Sequence, residues 1–344
     1  MSLILGIESS CDETAVALVT SERAILAQRV AGQESAHRPF GGVVPEIAAR
    51  AHIDILPALI EEVLADAALS IRDVDAVAAT AGPGLIGGVM VGLLTAKGLA
   101  LAARKPLIAV NHLEGHALSP TLSDPDLAFP YLLLLVSGGH CQLLLVEGLG
   151  RYRRMATTID DAAGEAFDKT AKLLGLGFPG GPAVERAASA GDGSAVRLPR
   201  PLVGSSEPHF SFAGLKSAVL RARESGLHST EDLAASFQRA VVDCLVDRTA
   251  RAITGVPQAT ALVVAGGVAA NQAVRSALSA LADREGLRFS APPLWLCTDN
   301  AAMIAWAGAL RFDAGLTDAL DAPARARWPL DPDAEAVRGA GVKA

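Results

Sequence analysis

The chain has 344 residues, of which 51% are hydrophobic and only 4% aromatic, and its net charge is -7. That length suits two medium domains or one large one, with cores built on Ala, Val, Leu and Ile. The acidic balance excludes binding of nucleic acid through the global field; such a partner needs a local basic patch or a second subunit.

Four dispersed cysteines, Cys11, Cys141, Cys244 and Cys297, form no CxxC pair and suggest neither a disulfide framework nor a zinc ribbon. The first residues run straight into a strand and do not resemble a signal peptide. The apolar segment Gly87–Ala103 comes nearest to a membrane span, but Lys97 and several glycines interrupt it. The expectation is a reduced, cytoplasmic α/β protein with no membrane association.

In chain order, Ser2 to Val19 reads as a hairpin with a polar turn at Glu8–Glu13, followed by helical spacing over Ile47–Ala65 and Gly87–Ala103. Leu107 to Val110 reads as a buried strand, and Asn111 as the N-cap of the next helix. Tyr131 to Val146 repeats the hairpin pattern, now turning at Ser137-Gly138-Gly139. Asp160 to Lys172 and Leu233 to Ile253 read as helices. Ala261 to Asn271 is a strand running through Gly266-Gly267 into a helix, and Phe289 to Cys297 is strand-like despite Pro292-Pro293. Two similar hairpins suggest a duplicated α/β architecture, with ligands at strand ends in a cleft between two lobes. The expected lobes are 1–128 and 129–320, with 321–344 a fraying tail rich in Ala, Arg, Asp and Pro.

His112 and His116 sit at i, i+4 at the start of the helix after Asn111. Imidazoles so spaced share one helix face and bind a divalent metal if a third ligand arrives; the competing reading is a pair of ordinary polar histidines. Asp299 either caps the helix that follows, as Thr298 also can, or supplies that third ligand. Two imidazoles and a carboxylate suit Fe(II) or Zn(II). The glycine turns at Ser137–Gly139 and Gly266–Gly267 can present N–H groups to an anion or let a nucleoside approach, although such turns often serve only the hairpin. Asp168 lies inside its helix and is a candidate ribose contact, while Phe210 and Phe212 read as core. Basic clusters at Arg151–Arg154 and Arg197–Arg200 can touch RNA phosphates or simply face water.

Nine motifs in order then carry a resemblance. They are Gly6-Ile-Glu-Ser-Ser-Cys-Asp-Glu-Thr14, Gly41-Gly-Val-Val-Pro-Glu46, Asn111-His-Leu-Glu-Gly-His116, Val136-Ser-Gly-Gly-His140, Gly164-Glu-Ala-Phe-Asp-Lys169, Pro179-Gly-Gly-Pro182, Phe210-Ser-Phe-Ala-Gly-Leu-Lys216, Gly266-Gly-Val-Ala-Ala-Asn271 and Thr298-Asp-Asn-Ala-Ala-Met-Ile304. Together they span roughly residues 3 to 310, and the chain resembles the TsaD family of tRNA threonylcarbamoyladenosine transferases. The resemblance implies the duplicated actin-like, sugar-kinase-like fold. It implies transfer of a threonylcarbamoyl group from threonylcarbamoyl-AMP to N6 of adenosine 37 in tRNAs reading codons that begin with A, with release of AMP.

By the same resemblance His112, His116 and Asp299 hold one metal. Leu135, Val136, Ser137, Gly138 and Gly139 line the substrate; Asp168, Gly181 and Asn271 contact its nucleotide part, and Glu185 is a further ribose contact. Asp12 and Glu13 are the candidate general bases. The implied partners are tRNA, a TsaB-like paralogous subunit and a TsaE-like small ATPase, with the adenylate made by a TsaC-like synthase. Departures are small: Cys141 stands where Thr is usual and Phe178 where Tyr is usual, and the tail after Leu330 matches nothing in the family. A zincin protease is disfavoured, because Leu113 occupies the place of its glutamate and Glu114 is rotated about 200° from His112. A kinase-like ATPase of the same fold, or a silent scaffold, gives the metal triad no task.

Overall fold

The structure is a computed structural model that describes residues 1–40 and 42–337. It divides into two compact units, one of Met1–Asp126 with Thr298–Pro332, the other of Leu127–Cys297 with the residues from Asp333.

In the first unit β1 (Leu3–Glu8), β2 (Glu13–Thr20) and β3 (Ile25–Gly32) form an antiparallel meander, and β4 (Ala76–Gly82) and β5 (Leu107–Asn111) add to β1 in parallel, giving the order β3-β2-β1-β4-β5. Its helices before residue 127 are α1 (Glu34–His37), α2 (Pro45–Asp66), α3 (Ile86–Ala103) and α4 (His112–Ser123), and the helix Ala301–Asp313 joins them from the end of the chain. Strands β1, β4 and β5 are buried along their whole length, which is why they read as unbroken apolar runs rather than as alternation. Leu5, Ile7, Leu18, Leu56, Val63 and Leu93 meet in the core. Each such side chain contributes about 1.5–3 kcal/mol relative to exposure.

The second unit repeats the plan. Strands β6 (Tyr131–Val136), β7 (Cys141–Gly148) and β8 (Arg151–Thr157) form the meander, and β9 (Ala261–Ala265) and β10 (Arg288–Ser290) run parallel beside β6, in the order β10-β9-β6-β7-β8. Its helices are α5 (Ala163–Leu174), α6 (Gly180–Ala188), α7 (Ala213–Glu224), α8 (Thr230–Thr254) and α9 (Gln272–Arg284). Phe210 and Phe212 are buried, as expected, and Phe167 packs edge-to-face on Phe237 with centroids 5.2 Å apart. In each unit the first strand of the meander is central, so the duplication lies in topology and not only in the two hairpins.

Four expectations change. The second unit does not extend to residue 320: Thr298–Pro332 groups with the first unit. The helix Ala301–Asp313 lies against β1 and β4 at a closeness that two glycines permit. A Cβ on Gly6 would fall 2.6 Å from the Ala305 amide nitrogen, and one on Gly308 would fall 2.6 Å from the Ala78 Cβ. The stretch from Asp321, expected to fray, is tied down as far as Trp328: Lys97 donates to the Ala322 carbonyl, Arg325 N–H to Ala81 and the Asn111 amide to the Trp328 carbonyl. The tail's last part, 338–344, lies outside the described residues.

The run Phe289 to Cys297 is a strand only as far as Ser290, then an irregular turn and a single 3-10 turn at Leu294–Leu296, because prolines cannot donate to a ladder. Helix α3 is, among the described residues, the one helix long and apolar enough to cross a membrane, with mean hydropathy 1.7 over 18 residues. Lys97 does not interrupt it, since its ammonium reaches over to Ala322. Its Gly88, Val89, Gly92, Leu93, Ala96 and Ala100 face is buried within the unit.

Candidate active site

Three elements of the first unit deliver the candidate metal ligands. Strand β5 ends at Asn111, whose Oδ1 accepts the Leu113 N–H at 2.9 Å and caps α4. The cap fixes the first turn, so His112 and His116 project from one face with ring centroids 4.8 Å apart. Asp299 arrives just before the helix Ala301–Asp313. That helix is capped by Asn300, whose Oδ1 accepts the Met303 N–H at 2.9 Å. Neither Thr298 nor Asp299 therefore serves as its N-cap, and Asp299 turns its carboxylate to the histidines. Its Oδ1 is 3.0 Å from His116 Nε2 and 3.6 Å from His112 Nε2.

Ligands bound about 2.1 Å from a tetrahedral ion stand roughly 3.4 Å apart. Asp299 Oδ1, at 3.0 and 3.6 Å from the two imidazoles, stands near that separation. The three donor atoms lie within 4.8 Å of one another, so the set fits a divalent ion in donor chemistry and needs only a small contraction to meet it in spacing. The Nδ1 atom of His116 is buried with no hydrogen-bond partner among the described residues.

Around His112 the site is strongly anionic. Burial opposes its protonation, but Asp299 and Glu8 outweigh burial and lift the imidazole to about 9. Burial would raise the Glu8 carboxyl; His112 and the Thr80 hydroxyl hold it below its ordinary value. Glu13 opens β2 and sits half-buried. Burial first, then the charges of Asp299 and Asp12, push it well above the usual carboxylate range. An ionised carboxylate made more basic in this way is a stronger proton acceptor than an ordinary glutamate. Asp12 shares a hydrogen bond with Glu13, and its carbonyl accepts the Gln33 N–H. Glu114, one position beyond the place a zincin glutamate would take, is buried and accepts from Arg311 at 3.2 Å.

In the second unit Leu135 and Val136 are fully buried at the end of β6. The following turn closes on itself: Ser137 N–H donates to the His140 carbonyl, and His140 N–H to Ser137 Oγ. Gly164 brings the start of α5 onto this turn, since any Cβ there would fall 2.6 Å from the Ser137 carbonyl oxygen. Gly266, at φ +94°, crosses the Val136 carbonyl equally closely. The Ser137–Gly139 backbone thus lies at a helix N-terminus, a favourable place for an anion.

The expected nucleotide contacts are brought to other helix starts. Asp168 Oδ1 accepts the Gly180 N–H at the head of α6, with Gly181 beside it. Glu185 accepts the Gln272 N–H at 2.7 Å, and Asn271 caps α9 while donating to Gln238. Glu185 and Asn271 therefore both engage the start of α9, Asn271 being held by Gln238, a residue that no motif marks. No local pattern marks Glu8, Ser10 and Thr80 as the neighbours of His112 that they are, because a strand carboxylate carries no sign of a histidine about a hundred positions away.

A family model described as TsaD, tRNA N6-adenosine threonylcarbamoyltransferase, matches residues 24–306. Curated relatives of that name include one from Sphingopyxis alaskensis, 76% identical over 344 residues with both chains covered completely, and one from Erythrobacter litoralis, 68% identical over the same length and again complete. Among solved structures, T. kodakarensis HypF superposes with a TM-score of 0.60 at 16% identity, covering 92% of this chain and 48% of that one. The component A of Acidaminococcus fermentans (R)-2-hydroxyglutaryl-CoA dehydratase superposes with a TM-score of 0.56 at 17% identity, covering 91% and 100%. These two likenesses concern the fold, the duplicated actin-like arrangement of strands and helices. Full-length identity at this level, with the motif order and the His112–His116–Asp299 constellation, makes the chain a member of the TsaD family of tRNA N6-adenosine threonylcarbamoyltransferases.

Proposed function

We propose that the protein moves the threonylcarbamoyl group of threonylcarbamoyl-AMP to N6 of adenosine 37 in tRNAs reading codons that begin with A, releasing AMP. The observation that carries this reading is the convergence of His112, His116 and Asp299 beside the acidic turn Asp12–Glu13. An adenine amine is a weak nucleophile because its lone pair is delocalised into the ring, so the acyl carbon must be activated and precisely held. A divalent ion, Fe(II) or Zn(II), on the three ligands supplies Lewis acidity and positive charge. In the Ser137–Gly139 turn the Gly138 and Gly139 amides are suited to steady the phosphate or a developing oxyanion, the Ser137 amide being bonded to His140. Asp168, Gly181, Glu185 and Asn271 orient the nucleotide portion. Glu13, with Asp12 as its neighbour, takes the proton from the attacking amine.

The net charge of -7 favours tRNA binding shared with other subunits. A TsaB-like paralogue and a TsaE-like ATPase fill that place, and a TsaC-like synthase supplies the adenylate. An apolar ridge on α3, with Ile86, Met90, Leu94 and Leu101 all 45–66% exposed, supports a protein partner.

The test is mass spectrometry of nucleosides from tRNA incubated with the protein, its partners and threonylcarbamoyl-AMP, beside a His112→Ala, His116→Ala control. Threonylcarbamoyladenosine only with the unaltered protein is expected. Product with both would remove the metal from the reaction, and product with neither, with active partners, would overturn the transferase reading.

A further inference from the structure

Both histidines present Nε2 to Asp299, but their other ring nitrogens meet different surroundings. His116 Nδ1 is buried without a hydrogen-bond partner among the described residues. His112 Nδ1 lies 2.9 Å from Glu8 Oε2, with the Ser10 hydroxyl 3.1 Å away. Glu8 is 1% exposed, and its carboxylate collects two more donors: the Ser10 N–H on Oε1 and the Thr80 hydroxyl on Oε2, each at 2.6 Å. Glu8 ends β1, Thr80 lies on the parallel neighbour β4, and His112 follows β5. The carboxylate is thus fixed by the sheet itself, before any ligand binds.

An ionised carboxylate can only accept. A Glu8 that already takes the Ser10 N–H and the Thr80 hydroxyl therefore demands the proton of His112 on Nδ1. That choice leaves the Nε2 lone pair facing Asp299, where the ion is required. We propose that Glu8 is a positioning residue for the transferase, holding the His112 imidazole in its Nδ1–H form and aiming Nε2 at the metal. This rests on the reading of His112, His116 and Asp299 as the metal ligands. It makes the two histidines unequal at Nδ1: that of His112 meets a charged partner, and that of His116 meets no hydrogen-bond partner among the described residues.

The carboxylate has a second effect. Backed by Glu8, the imidazole is a more basic donor, and the negative charge of Glu8 offsets half of the ion's double positive charge in a site shielded from water. Removing that charge while keeping shape and polarity isolates the effect, and Glu8→Gln does so. Ser10→Ala removes the other neighbour of Nδ1 and serves as the comparison.

Zinc affinity is measured by competition with a chromophoric chelator for the full-length wild type, Glu8→Gln, Ser10→Ala and His112→Ala. On zinc-loaded wild type, histidine side-chain 1H–15N spectra read the ring proton directly, with His112→Ala assigning the resonance. The expected result is an exchange-protected, downfield Nδ1–H on His112 in the wild type, and zinc binding about 10- to 100-fold weaker in Glu8→Gln but within about threefold of wild type in Ser10→Ala. A packing role alone would leave both the zinc dissociation constant and the ring proton unmoved in a folded Glu8→Gln protein, and that outcome overturns the proposal. An equal loss in Ser10→Ala also overturns it and gives the role to the serine hydroxyl.

If Glu8→Gln does not fold, absence of the protected Nδ1–H in the wild type is sufficient to reject the idea. Zinc binding that His112→Ala does not weaken would instead show that the ligand assignment has failed, a different result from failure of Glu8.

Discussion

The Nε2 atom of His116 lies 3.0 Å from Oδ1 of Asp299, although 183 positions separate the two residues. The contact joins the second turn of α4 to the loop before the helix Ala301–Asp313, so the candidate metal centre depends on how both helices begin.

Asn300 sets the second of those beginnings. An Asn300→Ala substitution removes the Oδ1 that accepts the Met303 N–H and is expected to cost about 1 kcal/mol in unfolding free energy. Asp299 would then be drawn to the orphaned amides, and zinc binding should weaken as well. Denaturant titration together with chelator competition checks both. A stability loss with unchanged zinc affinity would show that Asp299 holds its place without the cap.

Glu13→Gln should divide activity from stability. Loss of a general base is expected to slow transfer by about 10²-fold or more. The metal-free variant should nevertheless melt at a higher temperature than wild type at pH 8. Burial and the charges of Asp299 and Asp12 raise the Glu13 carboxyl in the folded state. The native state therefore holds this proton more tightly, and stability falls as pH rises from the unfolded value through the raised one. A glutamine has no such slope. Melting curves from pH 5 to 8 and single-turnover rates test the pair.

His112 gives a slope of the same sign in a higher pH window. In the metal-free protein its imidazole is raised to about 9, with Asp299 and Glu8 outweighing burial. Its contribution to stability is then fully present below the unfolded value of about 6.5 and is lost as pH rises through about 9. Because an ion must displace that proton, zinc affinity should climb between pH 7 and 9, with proton release seen in calorimetry in buffers of different ionisation enthalpy. After chelation, a His112→Gln protein should lose less stability than wild type across this window.

Gly308→Ala tests the seat of the helix Ala301–Asp313. The added methyl would meet the Ala78 Cβ at 2.6 Å and crowd Ile4 Cγ2 at 3.2 Å. Overpacking of this kind costs about 1–3 kcal/mol, and because the same helix follows Asp299, zinc affinity should fall with stability. An unchanged denaturation midpoint would mean that the helix can slide without cost.

The ridge on α3 predicts partner loss without active-site damage. Leu94, 56% exposed, changed to Glu should abolish co-elution with the TsaB-like subunit. Zinc affinity, set by residues outside α3, should stay as in wild type. Persistent co-elution would place the partner elsewhere.

The sequence alone determined what is local. Leu107 to Val110 followed by Asn111 announced strand, cap and helix, and the cap forms; the run Tyr131 to Val136 announced the central strand β6. The i, i+4 spacing of His112 and His116 put both rings on one face for the same reason: a helix repeats every 3.6 residues. Ala76–Gly82 and Ile25–Gly32 went unread as strands, the first for its alanines and glycine, the second for its half-exposed mixture, because strand preference reflects the neighbours a strand packs against rather than its own residues. Arg151–Arg154 reads as a charge cluster and is part of the edge strand β8.

Only the tertiary structure decided that Asn300 rather than Asp299 caps the last long helix. Only it returned residues 298–332 to the first unit, and only it set Glu8 and Thr80 behind His112. Those outcomes depend on which strands lie side by side and how closely two glycines let a helix approach, and contacts between distant positions leave no periodic trace along the chain.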